Sequence, residues 1–236
     1  MPIERFFDAN LHTGSLLGRL VDEEFHHAIR VFRLQENQSF EIINGKGLLA
    51  EAVVTGISKR HLDYSVLQFH SDKSVPPARS LLLGMPKFNR LEMIIEKACE
   101  IGCDEIILFN ADKSEKLDLS ANQQTRLHHL MVAALKQSGR LWLPTLELRA
   151  HLEACFETDR TYFYGDVKSR KPFPLVSHSG PLALVIGPEG GFSQAEQNLL
   201  IKKANGISLS HSVFRVDTAA LTGLYLLSYV QEFTTV

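Results

Sequence analysis

Residues 182–186, Leu-Ala-Leu-Val-Ile, form an unbroken apolar run, and Gly-Pro-Glu-Gly-Gly-Phe at 187–192 ends it abruptly. A run with no polar face must be covered on both sides, as a central strand of a parallel sheet clothed by helices is. Ser193 followed three residues later by Glu196 is a capping box that opens a helix. Strand, glycine turn and capped helix are therefore predicted in that order. The turn then lies at a strand's carboxyl end, where ligands of open α/β sheets sit. Gly190 and Gly191 can take positive φ and let backbone approach a ligand closely.

The same alternation recurs upstream. Strands are predicted over 80–86, 104–109 and 161–165, and helices over 89–102, 119–138, 194–204 and 218–233. Gly102 is read as the stop of its helix. The first seventy residues differ. Arg5-Phe6-Phe7 and the segments 40–45, 47–57 and 61–69 read as short strands, and Asn44-Gly45 marks a turn. Phe25, Ala28, Ile29 and Phe32 give 22–34 helical spacing, so this part is expected to be a small β-barrel with one helix. Residues 70–80 are polar, contain Pro76-Pro77 and lack periodicity. The expected organisation is a barrel domain at 1–70, a linker at 71–79 and an α/β domain at 80–236.

The 236 residues are 44 % apolar and 22 % charged, as in a globular protein with a real core. Net charge is −2, so no global field draws the chain to nucleic acid, though a local patch is free to do so. Cys99, Cys103 and Cys155 make no disulfide framework and read as core thiols in a reducing compartment. The adjacent pairs His26-His27 and His128-His129 point different ways on a helix, and no metal site is expected. No signal peptide and no membrane span are read. A cytoplasmic protein follows.

Three occupants of the glycine turn compete. A phosphate loop would need the Gly-Lys-Ser/Thr ending or a G-x-G-x-x-G spacing, and both are missing. A tight structural turn is the second. The third is a small-molecule pocket of exposed backbone groups, in which Glu189 faces a cationic or hydroxyl-bearing group. A second feature favours the pocket. Arg215 stands among Val213, Phe214 and Val216 in a short loop before the last helix, whose cap is read as Asp217 or Thr218. A guanidinium so placed either pairs with a carboxylate or serves a ligand.

The segments 184–196 and 209–221 together resemble the two C-terminal signatures of SPOUT-class RNA methyltransferases, and the whole chain is similar to the RsmE family. Residues 85–102 resemble that family's Pro-Lys-x-x-Arg and Lys-Ala-x-Glu-x-Gly segment. Gln137-Ser138-Gly139-Arg140 matches another of its segments, and 26–34 and the opening Arg-Phe-Phe match its N-terminal ones. The resemblance implies an α/β SPOUT methyltransferase domain with a C-terminal trefoil knot, preceded by a small PUA-like β-barrel domain. It implies methylation of N3 of a uridine in 16S ribosomal RNA, in the assembled small subunit, by a homodimer using S-adenosyl-L-methionine. Two alternatives stay open: a non-catalytic PUA-type RNA-binding and dimerisation protein, and a SPOUT methyltransferase acting on another RNA or base. The second signature commonly carries glycine, arginine, leucine and glutamate where this chain has Ser210, Ser212, Phe214 and Asp217. Lys136 stands where an acidic residue is common.

On this resemblance the donor is held by Gly165, by Ile186, Gly187, Pro188, Glu189, Gly190 and Gly191, and by Leu209, Ser210, Val213, Phe214, Arg215, Thr218 and Ala219. Arg215 is the expected stabiliser of the uridine anion. Glu189 or Asp217 would take the N3 proton or orient Arg215. Arg5, Arg30 and Arg33 on the first domain, and Lys87, Arg90 and Arg140 on the second, are the expected RNA contacts. The acidic stretch 22–24 weighs against the first three.

Overall fold

The computed structural model describes residues 4–72, 78–114, 118–176, 178 and 180–233. The chain divides into two compact units, Met1–Val75 with Leu135–Leu143, and Pro76–Ala134 with Pro144–Val236. The sequence reading placed 135–143 with the second unit. Of the expected linker, 73–77 lie outside the described residues.

The first unit holds β1 (Arg5–Phe7), β2 (Leu17–Val21), α1 (Asp22–His26), β3 (Ser39–Ile43), β4 (Leu48–Ile57) and β5 (His61–Ser71). Its sheet runs β1-β3-β4-β5-β2, with β1 parallel to β3 and the other pairs antiparallel. β1 and β2 are the edges, so among the described residues the expected small PUA-like β-barrel takes the form of a curled half-barrel sheet. Phe6, Phe40, Leu62 and Tyr64 fill its core. The helix predicted over 22–34 is shorter: α1 passes into a π-helical turn at His27–Val31. The wide turn brings residues five apart onto one face, and His27 and Phe32 both meet the Phe6 ring edge-on.

The turn signal at Asn44 has a mechanism. Its side-chain oxygen accepts from Lys46 N at 2.7 Å and Leu48 N at 3.1 Å. Gly47, at φ +82°, sits where a Cβ would lie 2.4 Å from the Trp142 ring. That contact and the bonds Gly47 N to Leu141 O and Leu143 N to Gly45 O, both 2.9 Å, bind the 141–143 segment to the first unit. Lys136 joins Glu24 at 2.5 Å. Spacing along the chain carries no signal of these long-range contacts, which is why 135–143 was misplaced.

The second unit holds β6 (Arg79–Gly84), α2 (Phe88–Ile101), β7 (Glu105–Phe109), α3 (Ala121–Ser138, its end in the first unit), β8 (Thr145–Arg149), β9 (Thr161–Gly165), β10 (Leu182–Ile186), α4 (Gln194–Lys203), β11 (Asn205–Ile207) and α5 (Val216–Glu232). All neighbours in its sheet, β11-β9-β10-β6-β7-β8, are parallel. Every residue of β6 and β10 is buried, as two-sided cover requires. Gly102 closes α2 in the left-handed conformation at φ +100°. Gly223 lets α5 press onto β10, since a Cβ there would come within 2.5 Å of the Leu184 side chain. Cys99, Cys103 and Cys155 are buried, and none forms a disulfide among the described residues. Burial pushes the Cys155 thiol up to about 12, which suits a packing role. β2, β8 and β11 were not read from the sequence. They are short strands at or next to sheet edges, and β8 and β11 lack a continuous apolar run.

Candidate active site

The carboxyl ends of β9 and β10 open into a cavity of 760 Å³. Small-molecule pockets span about 300–1,000 Å³, so the space suits a nucleoside-sized ligand. Its walls come from 164–168, from 186–192, from 208–210 and 212–216 with Ala219, and from Arg90, Lys113, Gln197 and Ile201.

The glycine turn forms the floor. Gly191 N bonds to Pro188 O at 2.8 Å, and Gly191 holds φ +67°. Gly190 does not use the positive φ open to it. Its requirement is space: a Cβ would lie 2.9 Å from Lys113 O and 3.0 Å from Lys113 Cβ. A Cβ on Gly187 would meet the Phe192 ring at 3.1 Å. Ser193 and Glu196 form the expected capping box. In the loop before α5, Ser208 Oγ donates to Ser210 O at 3.0 Å, and Ser210 Oγ accepts from Ser212 N at 3.1 Å.

α5 begins at Val216, two residues before the expected start at 218. Arg215 occupies the N-cap position with no side-chain cap bond, and Asp217 and Thr218 are already helical. Burial of Val216 draws the helix start back. Asp217 accepts from Thr218 N at 3.0 Å, and its charge favours the helix N-terminus. The Arg215 side chain is exposed at the cavity, and among the described residues it has no ion pair or side-chain hydrogen bond. Glu189 lines the cavity and pairs with Arg90 at 3.4 Å. Burial, with the Asp166 carboxylate beside it, pushes the Tyr164 hydroxyl upward, so it stays protonated at neutral pH.

The cavity gathers Gly165, Ile186, Gly187, Pro188, Glu189, Gly190, Gly191, Leu209, Ser210, Val213, Phe214, Arg215 and Ala219. Asp217 and Thr218 are not among its lining. Of the expected RNA contacts, Arg90 lines it and Lys87 stands exposed just before α2. Arg140 belongs to the first unit, against expectation, because 135–143 packs there. Arg30 and Arg33 are exposed. Arg5 is largely spent on Glu41, with bonds of 2.8 and 2.6 Å. The sequence reading missed Lys113, Tyr164, Asp166, Lys168 and Ser208. The rule that ligands sit at strand carboxyl ends would have reached 166–168, directly after the strand at 161–165. Among the described residues, no three His, Cys, Asp or Glu side chains gather closely enough to hold a metal.

The family of RNA methyltransferase domains matches residues 74–230, and that of RNA methyltransferase PUA domains matches 20–67. The chain belongs to the RNA methyltransferase family. Its relatives include ribosomal RNA small subunit methyltransferase E of Bacillus subtilis (strain 168), 27 % identical over 231 residues and 90 % of each chain. The protein of that name from Mycobacterium bovis is 28 % identical over 235 residues, covering 93 % of this chain and 88 % of its own. Ribosomal RNA small subunit methyltransferase E from Neisseria gonorrhoeae, solved bound to S-adenosyl methionine, shares the fold with a TM-score of 0.85. It is 20 % identical and covers 98 % of this chain and 100 % of its own. These relatives bear out the resemblance to the RsmE family, and the shared fold bears out the expected α/β methyltransferase domain after a PUA-like domain.

Proposed function

We propose that this methyltransferase transfers a methyl group from S-adenosyl-L-methionine to N3 of a uridine in 16S ribosomal RNA. The observation that carries the site assignment is the cavity at the ends of β9 and β10, lined by the glycine turn and by Arg215, which has no ion pair among the described residues. Its residues fit the donor. Ile186, Leu209, Val213 and Phe214 offer apolar surface for the flat base and the aliphatic parts of the donor. Ser208 and Ser210 bring hydroxyls, Glu189 a carboxylate, and 187–191 backbone that lines the cavity. The trefoil knot implied by the family, with these two loops in it, belongs to the same proposal.

When bound, the donor supplies an electrophilic methyl group on a sulfonium. The protein's residues do the rest. The loops 186–192 and 208–216 orient the reactants, and alignment alone supplies much of the rate. Arg215 stands beside the uridine oxygens and stabilises the negative charge that grows as N3 loses its proton. Glu189 accepts that proton or, through Arg90, sets the charge around it. Glu189 is favoured over Asp217, which turns to its own helix.

The enzyme is read as a cytoplasmic homodimer acting on the assembled small subunit. No helix among the described residues is long and apolar enough to cross a membrane. Tyr225, Tyr229 and Phe233 leave an aromatic ladder exposed along α5, suited to a second copy. The test is calorimetry with S-adenosylhomocysteine. We expect micromolar binding that Gly190→Val weakens by about a hundredfold, because the added side chain drives into Lys113. Unchanged affinity in the variant would remove the donor from this turn. Absence of methyl transfer to small subunits lacking the modification would remove the function.

A further inference from the structure

Glu196, in the first turn of α4, has a relative exposure of 7 %. A carboxylate that buried needs partners on both oxygens. Oε2 accepts from Ser193 N at 2.7 Å, the capping-box bond. Oε1 accepts from Asp112 N at 3.1 Å, and a helix cap gives no reason for that second bond. It crosses from the turn after β10 to the loop after β7. Ser193 repeats the crossing: its hydroxyl accepts from Glu196 N at 3.2 Å and donates to Asp112 Oδ2 at 2.5 Å. The same loop lies against Gly190, where there is no room for a Cβ beside Lys113. Three contacts therefore clasp 111–114 to the glycine turn.

What the clasp holds in place is Lys113. Lys113 is exposed, lines the cavity, and has no ion pair among the described residues. Arg90, the neighbouring cation, is paired with Glu189. An ammonium on a flexible stem is a point charge that binds phosphate without demanding one geometry. A solvated cation at the mouth of a site that accepts a nucleotide loses little on meeting a phosphate and gains from released counterions.

We infer that Lys113 binds a phosphate of the RNA strand beside the target nucleotide, and that Asp112, Ser193 and Glu196 position it. The inference rests on the proposed RNA methylation at this cavity. It separates Lys113 from the donor's own anion, the carboxylate of its amino-acid tail, and the test has one arm for each.

The full-length enzyme is assayed on small ribosomal subunits lacking the modification, at several salt concentrations, with S-adenosylhomocysteine binding measured in parallel. Lys113→Ala is expected to raise KM for the subunit about tenfold, with a smaller change in kcat, and to lower the salt dependence by about one phosphate contact. Lys113→Arg restores both, and donor-product affinity holds. Glu196→Gln, whose amide puts a donor opposite a backbone N–H, is expected to raise KM in the same way. Added to Lys113→Ala it raises KM no further, because the two act through one contact. Thermal unfolding of Glu196→Gln registers any loss of the cap separately. Wild-type KM and salt slope in Lys113→Ala would overturn the inference alone, as would weakened S-adenosylhomocysteine binding with KM intact. Additive effects of the two substitutions would overturn the positioning role. No methyl transfer by the wild type would overturn the parent reading with it.

Discussion

The two ends of the parallel sheet use the same charged residue types in opposite ways. At the amino ends of the strands, Arg79 has a relative exposure of 2 %, donates to Ser228 Oγ at 2.9 Å and forms an ion pair with Glu232. Arg160 is nearly as buried and holds Glu105 and Glu157, each at 2.5 Å, while Ser80 Oγ donates to Glu105 at 2.7 Å. At the carboxyl ends, Arg215 and Lys113 are exposed and without ion pairs among the described residues. α5 carries both conditions, with Glu232 tied at one end and Arg215 open at the other. Buried charge survives only when it is paired, so satisfied charge marks architecture. Exposed, unpaired charge at a cavity costs little to keep and remains available to a ligand.

The comparison breaks most visibly at Arg215. Arg215→Ala is expected to lower kcat by about a hundredfold to a thousandfold, the usual loss of a group that meets charge only in the transition state. S-adenosylhomocysteine affinity, read by calorimetry, should move by less than about threefold, since uniform binding is not lost. Parallel losses in affinity and kcat would make Arg215 a donor ligand and leave the anion without its cation.

At the opposite end the effect falls on stability. Arg79→Met removes a buried guanidinium but leaves Glu232 free to hydrate, because its side chain is 43 % exposed. The cost is about 2 kcal/mol, below that of stranding a buried charge, and the melting temperature of the unit should fall by about 5 °C. Steady-state kcat and KM should stay within about twofold of wild type. A matching fall in kcat would mean that α5 transmits the loss to Arg215, and that the two ends are one device.

How much of this the sequence carried follows the same division. The strands β6, β7, β9 and β10, and the helices α2 to α5, were legible because each is a run or a period that needs no distant partner. The turn at 187–192 and Arg215 were legible as a candidate site, and they line one cavity, because glycine and arginine stood where apolar core residues were to be expected. Contacts between distant segments were not legible. Nothing near Glu196 announces Asp112, 84 residues away, so a capping box was read and a clasp was missed. Asp217 was taken for a cap because its residue type favours one, but burial of Val216 set the helix start. Lys113 reads as one more surface lysine until the sheet order places its loop against Gly190.

The smallest expected effect sharpens the architectural side. Burial pushes the Glu105 carboxyl up, but the hydrogen bonds from Arg160 and Ser80 and the guanidinium charge outweigh it and hold the group below its ordinary value of 4.5. A carboxyl whose folded value is depressed binds fewer protons when folded than when unfolded. Its stabilising contribution is therefore complete above the ordinary value and disappears as pH falls through the folded one. Asp63 in the first unit is also held down, by Arg19, but both side chains are exposed and solvent screens the pair, so its share is small. Urea unfolding between about pH 7 and pH 3 should show Glu105→Gln less stable than wild type at neutrality and level with it in acid. The gap should begin to close below the ordinary carboxyl value. A gap that stays constant across this range would show that Glu105 acts through shape and neutral hydrogen bonds. The amino end would then owe nothing to charge, and the contrast with Arg215 and Lys113 would reduce to exposure.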